Sequence, residues 1–268
     1  VYREYLKHKR LIAKYSLKES EEKIINTLEV TGPSALVKIY DRMSNNFEFT
    51  VIKKHGNTKR TKIFTNKEKL LSLVRSSKAN ERESAYKALF KTYEKNSGVL
   101  GEIYQNLVTQ WRDENISIRG FKSPISVRNI HNNIDDTTVE TLLAVCKENA
   151  HLFHAYFIEK AKLIGMKKLR RYDLYAPISS KNIPKFTFKN ATRLVLDTFH
   201  KFDPSFALYT ERLFKENHID SEIRNGKMGG AFCYTVTPKR TPYVLLNFDG
   251  MMRDVSTMAH EFGHAIHS

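Results

Sequence analysis

Three histidines and one glutamate fall in the last nine positions of the chain: His260, Glu261, His264 and His267 within "MAHEFGHAIHS", Met258 to Ser268. Histidines four residues apart on a helix project side by side and can offer two imidazole nitrogens to one ion. A glutamate directly after the first of them then lies beside the ion's open coordination position. The five-residue spacing HExxH is the one stretch in the chain that carries a specific mechanism. At this chain's own histidine and glutamate frequencies it arises by chance in roughly one such sequence in forty, so its surroundings have to decide.

Setting successive residues 100° apart gathers Met251, Met252, Val255, Met258, Ala259, Phe262 and Ile266 on one helix face. His260, His264 and His267 fall on the opposite face and Glu261 on the flank. The competing reading is a solvated polar face that happens to be rich in histidine. With zinc held by His260 and His264, Glu261 acts as general base on a water and the reaction is hydrolysis of a peptide bond. A catalytic zinc usually takes three protein ligands. His267 does not supply the third, because seven residues of helix separate it from His260 by about 10 Å along the axis. It reads as a residue that supports a ligand from outside or faces substrate, or as an incidental polar position. His131, His151 and His200 read as residues without a role.

The elements that must position this helix are legible upstream. After the turn-rich "RNGKMGG" (Arg224 to Gly230), "AFCYTV" and "YVLLNF" are β-rich runs separated by "TPKRTP", the pattern of a hairpin. The glycines lack the spacing of a phosphate-cradling loop and serve turns or close backbone approach. An exposed strand edge can hold an extended peptide by main-chain hydrogen bonds, and either run is a candidate for it. At the head of the first, Gly230, Ala231 and Phe232 are the candidate substrate-binding residues.

The rest of the chain reads as helix. Expected helices run over Leu6–Val30, broken at "TGP", then Ser34–Met43, Lys67–Arg75, Glu81–Arg112 with an interruption near Ser97-Gly98, Asp136–Ile164, Asn190–Phe202 and Phe206–Asn217. "TNKE", Thr65 to Glu68, has capping-box spacing. The aromatics of the Glu81–Arg112 stretch fall at helical spacing and read as core. "YDLYAPIS", Tyr172 to Ser179, reads as an extended linker.

The chain has 268 residues, 41% of them hydrophobic, enough for a real core. Its first thirty residues are dense in charge, and no stretch approaches the roughly 20 apolar residues of a membrane span. With only Cys146 and Cys233 and no CxxC pair, neither a disulfide framework nor a thiolate zinc site is on offer, and a cytoplasmic location fits. The net charge of +16 prompts a search for nucleic-acid contacts. Its densest run, Lys53 to Lys62, lies in a hairpin pattern with a Gly56-Asn57 turn, and no aromatic platform accompanies it; a solvated hairpin is preferred over a phosphate-binding patch. Val1 in place of Met, and an end inside a helical pattern, read as a segment of a longer chain.

The residues that carry the metal motif also carry a resemblance. "HEFGHAIH", "GGAFCY", "NFDG" and "DVSTMAHE", in that order, with "RESAYKAL", "RGFKSP" and "YDLYAPI" farther upstream, resemble oligoendopeptidase F, within the thimet-oligopeptidase-like zinc metallopeptidases. The resemblance covers most of the chain. It implies a mainly α, multi-helix two-lobed architecture with small β-hairpins, here with the catalytic lobe incomplete. The implied organisation is an N-terminal helical lobe over residues 1–128, with a hairpin near 47–65, and the first part of the catalytic domain over 129–268. It implies His260 and His264 as zinc ligands and Glu261 as general base. The family's third ligand, a glutamate on a later helix, and its oxyanion-stabilising groups have no counterpart in these residues. The expected parent activity is hydrolysis of short peptides, with this segment hydrolysing little by itself; neither membrane nor nucleic acid is an expected partner. The alternative is a catalytically silent helical module that engages acidic partners through its charge.

Overall fold

The computed structural model describes residues 2–55, 58–178, 184–237 and 239–268. It is mainly helical with two small sheets. In chain order the elements are α1 (Arg3–Ala13), α2 (Glu19–Thr31), α3 (Pro33–Asn45), β1 (Phe49–His55), β2 (Thr58–Phe64), α4 (Lys67–Ser72), α5 (Ala79–Lys95), α6 (Ser97–Arg112), α7 (Pro124–His131), α8 (Asp136–Glu148), α9 (Ala150–Leu163), α10 (Phe188–Phe202), α11 (Pro204–Lys215), β3 (Ile219–Asp220), β4 (Phe232–Tyr234), β5 (Tyr243–Leu245) and α12 (Met252–His267).

Helix starts follow the caps. Asp135, Thr187 and Asp203 each accept a backbone N–H from the first turn of α8, α10 and α11, and Pro204 opens α11 where its missing N–H costs nothing. Two expected helices are each split. The Leu6–Val30 helix breaks between Ala13 and Glu19, where Glu22 accepts the Leu17 N–H and Glu21 the Lys18 N–H, starting a new helix with its acids in the first turn. The Asp136–Ile164 helix breaks at Asn149, whose backbone N–H makes the last helical bond to the Val145 carbonyl while its side-chain Nδ2 donates to that same carbonyl and competes with the ladder. The expected cap at Thr65 sits one residue later: Asn66 accepts from the Glu68 and Lys69 N–H groups at 2.8 and 3.1 Å, since asparagine caps as well as threonine.

The chain forms two compact units. The first comprises Val1–Met43 and Tyr93–Lys162. Within it Arg119 forks onto Glu22 at 2.6 and 2.9 Å and also reaches Glu114, Tyr15 stacks on Phe121 at 3.9 Å, and His8 Nε2 lies 2.7 Å from the Ile130 carbonyl. The hydrogen bonds from Arg119 and from the Leu17 N–H pull the Glu22 carboxyl down to about 2. The aromatic stripe is only partly core: Tyr104 is 70% exposed. Helical spacing reports a face that could be covered, not whether neighbouring residues cover it.

The second unit comprises Ser44–Thr92 and Leu163–Ser268. β1 and β2 pair antiparallel from Phe49↔Phe64 to His55↔Thr58, with Phe49, Val51 and Phe64 buried and Ile52 and Ile63 exposed. The expected Gly56-Asn57 turn lies outside the described residues. The main core of the unit gathers Ala191 and Val195 of α10, Leu213 of α11, Val244 of β5, Leu246, and Val255, Met258 and Phe262 of α12. The segment expected as a linker is instead an anchor. Asp173, with no exposed surface, accepts from Arg82 Nε and Nη2 at 3.2 and 2.7 Å and from Arg170 N and Nε at 3.1 and 3.0 Å. Ser179 lies outside the described residues.

Candidate metal centre

α12 begins at a tight bend. Gly250 has φ +85°, and a Cβ there would meet the Phe186 carbonyl oxygen at 2.7 Å, so neither the conformation nor the space admits a side chain. The Asp254 carboxylate accepts the N–H groups of Asp249 and Met251, capping the helix from its third position. Val255, Met258 and Phe262 then face the core, Phe262 with its ring edge-on to Phe214 at 5.5 Å. That burial fixes the helix's rotation and with it the opposite face. Met252, expected on the apolar face, is 48% exposed because it lies in the first turn.

His260 and His264 are both exposed on that opposite face, and their Nε2 atoms lie 3.1 Å apart with the rings at 89°. Two nitrogens each about 2.0–2.1 Å from a tetrahedral zinc would stand a little over 3 Å apart, so this donor pair fits a zinc ion as far as two ligands go. His267 is exposed one turn farther on. Among the described residues no group of three or more His, Cys, Asp and Glu side chains converges to complete a metal site. Glu261, on the flank by helical spacing, is 7% exposed. α12 packs along β4 and β5. Burial pushes the Cys233 thiol of β4 up and the Glu261 charge adds to this, opposed by a hydrogen bond from Ser268.

The sheet over the helix has the order β3-β5-β4. β4 and β5 form the expected antiparallel pair, Phe232↔Leu245 to Tyr234↔Tyr243. The strand within "YVLLNF" is central, flanked on its other side by parallel β3, so it offers no edge. Of the two outer edges, one belongs to β3 and the other to β4, within "AFCYTV". β3 has only two residues, too few for alternation to show in the sequence.

The loop before β4 is held from several sides. Lys227 carries its ammonium inside, 2% exposed, against the Asp220 carbonyl and carboxylate and the Glu222 and Leu246 carbonyls at 2.7–3.1 Å. From α4, Asn66 Nδ2 donates to the Arg224 carbonyl and Glu68 Oε1 accepts the Gly230 N–H at 3.1 Å. Asn247 Nδ2 donates to the Met228 and Gly230 carbonyls. Gly230 has φ +82°, and a Cβ on Gly229 would meet Glu68 Oε1 at 2.6 Å. Both backbone groups of Gly230 are thus engaged within the unit; Ala231 packs against the core and Phe232 is 38% exposed at the start of β4. Glu68, Asn66, Lys227 and Asn247 carried no functional signal in the sequence: their partners lie 158–162 residues away for the first two, and 5–19 for the others.

Arg224 also forks onto Asp220 at 2.6 and 2.5 Å. The Arg224 hydrogen bonds outweigh partial burial and, with Lys227, hold the Asp220 carboxyl at about 2. Unfolded aspartate titrates near 3.9, so the unfolded chain takes up the proton first. The stabilisation from Asp220 is therefore complete above about pH 4 and is lost as pH falls toward about 2. Asp220→Asn is expected to lower the urea midpoint at pH 7 and to match the unsubstituted chain near pH 2. An equal deficit at both values would contradict the assignment.

Residues 72–268 match the family described as peptidase family M3. The oligoendopeptidase F homolog of Borreliella burgdorferi is 27% identical over 95% of this chain and 42% of its own length. Group B oligopeptidase PepB of Streptococcus agalactiae is 26% identical over 94% of this chain and 41% of its own. The chain spans about two fifths of the length of these curated relatives. Among solved structures, PZ peptidase A with an inhibitor superposes with a TM-score of 0.77 at 18% identity, over 98% of this chain and 45% of that one. Oligoendopeptidase-F from Enterococcus faecium superposes with a TM-score of 0.55 at 20% identity, over 79% and 40%. These structural likenesses concern the fold.

Proposed function

This chain belongs to peptidase family M3, and from that premise we propose that it carries two zinc ligands and the general base of a metalloendopeptidase that hydrolyses short peptides. The observation that carries the reading is the pair of facing Nε2 atoms, 3.1 Å apart on the exposed side of α12, with Glu261 buried beside them. When bound, zinc would lower the pKa of a water toward 7 and polarise the substrate carbonyl. Glu261 takes the water's proton and delivers it to the leaving amine. The packing of α12 against β4 holds its carboxylate in place for both transfers. The outer edge of β4 pairs with the extended peptide through main-chain hydrogen bonds, and Gly230, Ala231 and Phe232 set where that edge begins. His267 lies one turn beyond the ligands and faces the same side.

Two histidines make a weak zinc site, so the 268 residues alone would retain little zinc and hydrolyse little; the third ligand would come from outside them. We read the protein as cytoplasmic. Among the described residues no helix is long and apolar enough to cross a membrane. The test uses the protein encoded by the whole reading frame. Its zinc content and its cleavage of an internally quenched peptide are measured before and after treatment with a zinc chelator. Nearly all activity should disappear with the metal and return when zinc is restored. A rate that the chelator does not touch, or a protein without zinc, would overturn the proposal.

A further inference from the structure

A cavity of about 400 Å³ opens within the second unit between α4 with the turn after it, the loop around Gly230, and the first two turns of α12. We infer that this cavity receives a bulky apolar side chain of the peptide held on β4, two or three residues from the cleaved bond, and so sets the protein's side-chain preference. The inference rests on the peptidase reading above.

Position comes first. Thr257 lines the cavity one turn before His260 and Glu261, about 6 Å along the helix axis from the glutamate. Gly230 and Ala231 line it just before β4, the strand that packs along α12. A peptide paired with the β4 edge at the metal site therefore reaches the cavity within a few residues, and side chains of one strand face alternate sides, so one of them is directed into it.

Chemistry decides the occupant. Leu71, Val74, Leu246, Phe248 and Met251 form the walls. Of the three carboxylates that line the cavity, two are already used: Glu68 by the Gly230 N–H and Asp254 by the Asp249 and Met251 N–H groups. Arg75 lies over the Tyr175 ring at 5.4 Å. Arg253 and Asp249, both exposed, bring one charge of each sign to the rim. Apolar surface is the larger share of what remains open to a ligand, in a volume within the roughly 300–1,000 Å³ range of ligand pockets.

The experiment measures kcat/KM with the protein of the whole reading frame on a series of quenched peptides, each changed from alanine to phenylalanine at one position. Phenylalanine should be favoured at one position by roughly 10-fold or more, the discrimination expected of an apolar pocket. Val74→Phe, which fills the cavity, should lower that ratio at least about tenfold, mainly through KM; Leu71→Ala, which enlarges it, should raise the relative rate for tryptophan at the same position. A flat series, or variants that slow all peptides alike, would overturn the inference while leaving zinc-dependent hydrolysis intact. If no peptide is hydrolysed, the peptidase reading fails, and binding of the same series, followed by fluorescence, decides the cavity separately: a preference for phenylalanine that Val74→Phe removes supports it, and its absence sinks it.

Discussion

Glu261→Gln in the protein of the whole reading frame is expected to lower kcat on a quenched peptide by roughly 10²–10⁴-fold. Zinc content should be retained. Glutamine has nearly the shape of glutamate, so the packing that leaves residue 261 only 7% exposed is kept. What is lost is the carboxylate that accepts a proton from water. The two functions separate because the proposed metal donors are His260 and His264, whose Nε2 atoms face each other from the neighbouring turns. His264→Ala should therefore lose zinc and activity together, whereas Glu261→Gln loses activity alone. Atomic absorption and a single-turnover assay on the same preparations distinguish them. A Glu261→Gln protein that keeps its zinc and its rate would show that another group takes the proton.

Arg82→Met is expected to destabilise the second unit by about 3–5 kcal/mol, the range for stripping one partner from a buried ion pair. Arg82 is 3% exposed and Asp173 fully buried. Beyond its bonds to Asp173, Arg82 Nη1 donates to the Ser76 and Ser77 carbonyls, so one side chain ties the chain just before α5 to the segment around residue 173. Burial alone would raise the Asp173 carboxyl; the hydrogen bonds from Arg82 and Arg170 outweigh it and lower it. With the folded-state pKa depressed, the stabilisation is present above the unfolded value near 3.9 and is lost as pH falls through the folded one. The deficit of Arg82→Met should therefore be largest near pH 7 and shrink in acid, and adding Asp173→Asn should recover part of it at pH 7. Urea unfolding followed by circular dichroism reads both effects. A deficit below about 1 kcal/mol would mean that the pair is not effectively desolvated.

The metal motif and the anchor were unequally legible beforehand. HExxH and the apolar residues around it lie on one helix, where side-chain direction repeats every 3.6 residues, so the spacing alone placed His260 and His264 side by side and Val255, Met258 and Phe262 inward. Asp173 sits in "YDLYAPIS", which reads as linker because it has neither period; its role depends on an arginine 91 residues earlier. Glu68 looked like half of a capping box, yet Asn66 caps the helix and the Glu68 carboxylate goes to Gly230, 162 residues away. The breaks in the two long helices leave no trace in the periodicity, because a side chain that bonds the backbone inside a periodic stretch changes no apolar position.

By itself the sequence determined the helical class, the convergent histidine pair with its adjacent glutamate, and a β-pair leading into them, since each follows from spacing within a few residues. Tertiary structure alone decided that β4, not β5, lies at an edge of the sheet, that Glu261 is enclosed, and that Lys227 is buried as a clamp on the loop before β4. Strand order and burial depend on which distant segments meet. A two-residue strand such as β3 can place β5 in the centre of a sheet without leaving a pattern of its own.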